Sequence, residues 1–82
     1  MDWEESNGFL QKTFTFSNFL NAFMFMTEVA GLAQRMDHHP FWENNVHIVK
    51  IKLTTRSQGN QVTELDHKMA EEIDNIFING RK

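Results

Sequence analysis

Two adjacent histidines, His38 and His39, are followed by the only proline of the chain, Pro40, and then by Trp42. Paired imidazoles can serve as acid and base within one pocket, because histidine changes charge near neutral pH and general acid–base catalysis needs groups of that kind. Pro40 fixes the local backbone, and the indole of Trp42 could stack on a flat heterocycle. The same residues also fit a blander arrangement: two solvated loop histidines beside a tryptophan that packs on a core or its rim. A metal site is the weaker sharp reading. The four histidines are 38, 39, 47 and 67, none stands four residues from another, and there is no cysteine to complete a ligand set. Asp66 lies three residues after Thr63 and reads first as a helix-capping carboxylate. Lys50 and Lys52 read as the solvated face of a strand. Glycine-rich phosphate loops, serine-centred elbows and paired-carboxylate motifs do not occur.

The elements that position these residues follow from hydrophobic spacing. Leu10, Phe14 and Phe16 alternate with Gln11, Thr13 and Thr15, which is strand periodicity, and Lys12 interrupts the apolar side. Ser6-Asn7-Gly8 is turn chemistry, so Trp3 to Glu5 forms a short first strand of a hairpin. Ser17 is the expected N-cap of a helix. Phe19, Phe23, Met26, Ala30 and Ala33 recur along one helical face, and Phe25, Val29, Leu32 and Met36 along another. A helix apolar on two faces covers a sheet with one and meets a second helix or another subunit with the other. Pro40 sets its end, since the residue before a proline is biased away from helix. Val46 to Thr55 is the clearest strand, with Val49, Ile51 and Leu53 on one side and Lys50, Lys52 and Thr54 on the other. After the loop Ser57–Asn60, Thr63 opens a second helix with the stripe Leu65, Met69, Ile73 and Ile76, and Asn79-Gly80 stops it. This order predicts a two-layer α+β domain with both helices on one face of an antiparallel sheet.

Length and composition bound the function. Eighty-two residues make one domain, residues 1–82, and a core of this size buries only about 60% of the unfolded surface. Without cysteine there is no disulfide to support it, and eight Phe, five Met and two Trp favour dense packing and self-association. A homodimer or homotetramer is therefore expected. The net charge is −3 and the cations are scattered, so there is no basic stripe and no direct nucleic-acid partner is expected. No run of about 18 apolar residues suggests a membrane span. The acidic Met1-Asp2-Trp3-Glu4-Glu5 lacks the order of a signal peptide, which predicts a cytoplasmic protein.

Three blocks at compatible spacing, Asp37-His38-His39-Pro40-Phe41-Trp42, Leu53-Thr54-Thr55 and Thr63-Glu64-Leu65-Asp66, together with Trp3, Phe14-Thr15-Phe16, Phe19, Ala22-Phe23 and Gly59, resemble the pterin-4a-carbinolamine dehydratase family. The resemblance spans about residues 3–77. It implies a four-stranded antiparallel sheet with helices against it, assembly as dimers or tetramers, and dehydration of a 4a-hydroxytetrahydropterin to the quinonoid dihydropterin. The pterin is the substrate, and no metal or organic cofactor is required. His38 and His39 become the expected catalytic pair, and Pro40, Trp42, Arg56 and Asp66 the expected substrate-binding residues. The family also extends to non-catalytic coactivators and assembly factors, which is the alternative function. Three departures stand out. Arg56 takes the place of a third histidine, Gln34 that of an acidic residue four before His38, and many members carry a further helix ahead of the residue that matches Trp3.

Overall fold

The computed structural model describes residues 2–82. The chain runs β1 (Glu4–Ser6), β2 (Phe9–Thr15), α1 (Phe19–Met36), β3 (Phe41–Asn45), β4 (Ile48–Leu53), a 3-10 turn (Arg56–Gln58) and α2 (Glu64–Asn79). The strands form one antiparallel sheet in the order β1-β2-β4-β3. The expected α+β architecture is what forms, with the two helices packed on the sheet.

The β1–β2 hairpin turns at Asn7-Gly8, where both residues have positive φ, 53° and 83°. A two-residue turn of that hand matches the right-handed twist of the strands, and Asn-Gly favours it. A Cβ on Gly8 would stand 2.4 Å from the Asn60 carbonyl oxygen, so only glycine fits. The first strand falls one residue later than the sequence suggests, on Glu4–Ser6 rather than Trp3 to Glu5.

The alternating residues of β2 and β4 bury one face. Leu10 and Phe14 lie opposite Leu53 and Val49 across the ladder, and Ile51 sits between them. Ala22, Phe25, Val29, Leu32 and Ala33 of α1 and Met69, Ala70 and Ile73 of α2 complete a single core. Lys12, the polar interruption on the apolar side, donates to Asp74 of α2 at 2.9 Å, and Trp3 Nε1 donates to the same oxygen at 3.1 Å. That clamp pins the first hairpin to α2.

Two sequence expectations shift. Asn18, not Ser17, caps α1, and its side chain accepts the Asn21 N–H at 2.8 Å. The strand expected over Val46 to Thr55 begins at Ile48, because Val46 and His47 form the turn joining β3 to β4. Val46 holds φ 52°, and the Asn44 side-chain amide clamps the turn by donating to the carbonyls of Val46 and Ile48 at 3.0 and 3.1 Å. On α1, Phe25, Val29 and Leu32 of one apolar set face the core, whereas Phe19 and Phe23 of the other set, together with Leu20 and Met24, are about half exposed or more. Among the described residues no helix is long and apolar enough to cross a membrane.

Candidate active site

Helix α1 ends in a left-handed residue, Asp37 (φ 51°), whose N–H returns to the carbonyls of Ala33 and Gln34. Aspartate tolerates this conformation better than most side chains, and the reversal satisfies carbonyls that the helix end leaves open. The next residue, His38, donates its own N–H to Ala33 O at 3.1 Å and is thereby turned back under the helix. Pro40 then commits the chain to β3. The two histidines consequently part. His38 is 8% exposed, whereas His39 lies on the surface.

His38 meets Asp66, which is fully buried at the third position of α2. Nε2 of His38 lies 2.6 Å from Oδ1 of Asp66. The other carboxylate oxygen, Oδ2, accepts the Thr55 hydroxyl at 2.7 Å and the Thr63 N–H at 2.9 Å. The last contact is the carboxylate arm of a capping box. Thr55 Oγ1 also lies 2.7 Å from Thr63 Oγ1. Burial alone would raise the Asp66 carboxyl, but the His38 ring, the Thr63 N–H, the Thr55 hydroxyl and electrostatic attraction to His38 together outweigh it, leaving the group below its ordinary value of 3.8. Asp66 is thus an ionised carboxylate spent on its own chain. It caps α2, as the spacing suggested, and it also holds His38, which the spacing did not reveal.

Arg56 follows Thr55 at the surface, and its guanidinium carbon lies 4.4 Å from the centre of the Phe41 ring. Phe41 comes directly after Pro40 and also meets Phe9 edge-on at 5.6 Å. Arg56 is therefore brought back toward the His39-Pro40 segment by a cation–π contact. Trp42 points the other way. It lies opposite Ile51, half-buried against the core, while Phe41 lies opposite Lys52 on the helix-free face. The structure thus gathers His38, Asp66 and Thr55 into one cluster and sets Trp42 and Arg56 on opposite faces of β3. The largest of the described cavities, about 490 Å³, lies elsewhere, against Trp3, Gln11, Lys12 and Lys50. Among the described residues no group of three histidine or acidic side chains stands where a metal ion could be held.

Thr55 and Phe41 are the site residues that sequence reasoning did not single out. The alternation Val49, Ile51, Leu53 extends by one more step to Thr55 and puts a hydroxyl on the buried face, where it requires a partner. That was the available signal.

The profile of the family described as pterin 4 alpha carbinolamine dehydratase matches residues 1–76. The chain belongs to the pterin-4a-carbinolamine dehydratase family. Relatives from two Prochlorococcus marinus strains, provisionally named as this dehydratase, are each 46% identical over 74 and 75 residues, covering 90% and 92% of this chain and 76% and 78% of theirs. A crystal structure of a transcriptional coactivator/pterin dehydratase from Brucella melitensis superposes with a TM-score of 0.84 at 41% identity, covering 90% of this chain and 80% of that one. A pterin dehydratase-like protein identified as a RuBisCO assembly factor in the alpha-carboxysome shares the fold, with a TM-score of 0.79 at 20% identity, over 93% of this chain and 89% of that one.

Proposed function

We propose that this chain dehydrates 4a-hydroxytetrahydropterin to quinonoid dihydropterin, as tetrahydropterin cofactor recycling requires. The observation that carries the reading is the buried His38–Asp66 contact at 2.6 Å, directly beside His39-Pro40, in a chain of the dehydratase family. The reaction breaks the C4a–O bond, and the hydroxyl leaves as water after accepting a proton. N5 gives up its proton as C4a=N5 forms. His38, held by Asp66, is the acid that protonates the leaving hydroxyl, and His39, at the surface, takes the N5 proton. Both imidazoles then reset through solvent. Pro40 shapes the site around the ring, and Trp42, half-buried against the core on the other face of β3, supports that strand from behind. Arg56 donates hydrogen bonds to the polar edge of the substrate and exchanges no proton, since a guanidinium stays charged at any working pH. Asp66 acts through His38 and through the start of α2. The protein works in the cytoplasm as a homo-oligomer closed through the open apolar face of α1. The test is the rate of quinonoid product formation from freshly generated carbinolamine, followed against the spontaneous reaction.

A second reading, a non-catalytic binding or assembly protein, is favoured by one feature, the arginine at position 56 where the family usually places a histidine. Fold does not fix function. Protein that binds a reduced pterin or a protein partner yet leaves the spontaneous rate unchanged would establish it.

A further inference from the structure

The contacts around Asp66 fix more than a helix cap. An ionised carboxylate only accepts hydrogen bonds, so every neighbour must bring a proton. Thr55 has one hydroxyl proton, and it goes to Asp66 Oδ2 at 2.7 Å. The contact between the two threonine hydroxyls, also 2.7 Å, is then necessarily donated by Thr63 and accepted by Thr55. On the other oxygen, His38 must donate from Nε2 at 2.6 Å. Proton direction therefore runs one way, from Thr63 to Thr55 to Asp66, and the His38 ring is held as the Nε2–H form.

The other ring nitrogen, Nδ1, is left for chemistry: it is an acceptor in the neutral ring, and in the imidazolium it carries the second proton, the one given to the leaving hydroxyl. His38 Nδ1 makes no hydrogen bond among the described residues, and no buried side-chain nitrogen or oxygen there lacks a partner. Nδ1 therefore belongs to the 8% of His38 that stays accessible. Thr55 itself cannot drift: its N–H donates to Gln61 O at 2.9 Å, and the adjoining Thr54 hydroxyl donates to Gly8 O at 2.7 Å.

We infer that Thr55 is a positioning residue for the dehydration: through Asp66 it holds His38 in one tautomer and one ring orientation, so that Nδ1 is the nitrogen that meets the substrate. This rests on the dehydratase reading above. Without the Thr55 hydroxyl the carboxylate loses one of its two Oδ2 donors and can swing toward the Thr63 N–H, which loosens its grip on the ring.

The experiment records nitrogen-15 spectra of the histidine side chains of the full chain at alkaline pH, alongside carbinolamine kinetics. Wild-type protein should show His38 protonated on Nε2. Thr55→Val should mix the two tautomers and lower kcat by about tenfold, the scale of one hydrogen bond to a charged group, with KM little changed. Thr55→Ser should restore the single tautomer and the rate. A wild-type ring protonated on Nδ1 overturns the inference whether or not any variant folds. So does a Thr55→Val protein that keeps both tautomer and kcat, or one that loses rate through KM alone. A protein that never exceeds the spontaneous rate refutes the dehydratase reading and with it the catalytic part of this inference, while the tautomer of the wild-type ring still decides its structural part.

Discussion

Replacing Asp66 by alanine strips three donors of their acceptor at once. His38 Nε2 and the Thr55 hydroxyl are buried, and the Thr63 N–H is partly so. A buried donor left without a partner costs about 1–3 kcal/mol, and the two threonine hydroxyls keep each other, so the loss for Asp66→Ala should be about 3–5 kcal/mol. That is a large part of the roughly 5–15 kcal/mol that holds a domain together. Asp66→Asn keeps an oxygen for Thr55 and the Thr63 N–H but forfeits the charge and turns its NH2 toward His38 Nε2, which must then change tautomer to accept, and it should cost about 1–2 kcal/mol. The pH dependence has a definite sign. The carboxyl lies lower in the folded chain than its ordinary 3.8, so its contribution is fully present above that value and is lost as pH falls through the folded value. Urea denaturation followed by circular dichroism at pH 7 and at pH about 2.5 measures both effects. The gap between wild type and Asp66→Asn should narrow at the acid end. A cost below about 1 kcal/mol for Asp66→Ala at pH 7, or a gap to Asp66→Asn that does not narrow, would refute the reasoning.

Other substitutions probe the backbone and the surface. Val46 carries φ 52° while 60% exposed, so Val46→Gly should stabilise the fold by up to about 1 kcal/mol, the relief of a left-handed β-branched residue less the added freedom of the unfolded chain; an unchanged or lowered melting temperature would count against strain there. Gly8→Ala, with its Cβ 2.4 Å from a backbone oxygen and φ 83°, should lower stability by about 1–3 kcal/mol, read from the same melts. The open apolar face of α1 predicts a dimer or tetramer by light scattering at about 20 µM, and a smaller species for the double change of Phe19 and Phe23 to serine. Arg56→His puts a proton-exchanging group where the family usually has one and should raise the dehydration rate; a slower protein at every pH would make Arg56 a productive substrate ligand.

The strand and helix periods carried most of the architecture, because β2, β4 and both helices each bury one clear face. The chain misled where local geometry overrode propensity. Val46 has strand chemistry but sits in a turn, held there by the Asn44 side chain, and Asn18 outcompetes Ser17 as a cap by reaching the Asn21 N–H. At the site, the His38-His39-Pro40 motif and the spacing of Thr63 and Asp66 were both legible as separate features. Their union was not. It depends on a contact spanning 28 residues, made only because Asp37 reverses the chain at the end of α1. For the same reason two adjacent histidines came to differ in burial, a distinction that no local pattern contains.

The measurement closest to the central claim adds purified protein to freshly generated 4a-hydroxytetrahydropterin and follows quinonoid dihydropterin by absorbance against the spontaneous background. The account predicts acceleration over that background, reduced in folded His38→Ala and His39→Ala proteins by as much as about 10²–10⁴-fold, down to the floor the spontaneous reaction sets. A wild-type rate equal to background, or His38→Ala and His39→Ala proteins as fast as wild type, would contradict it.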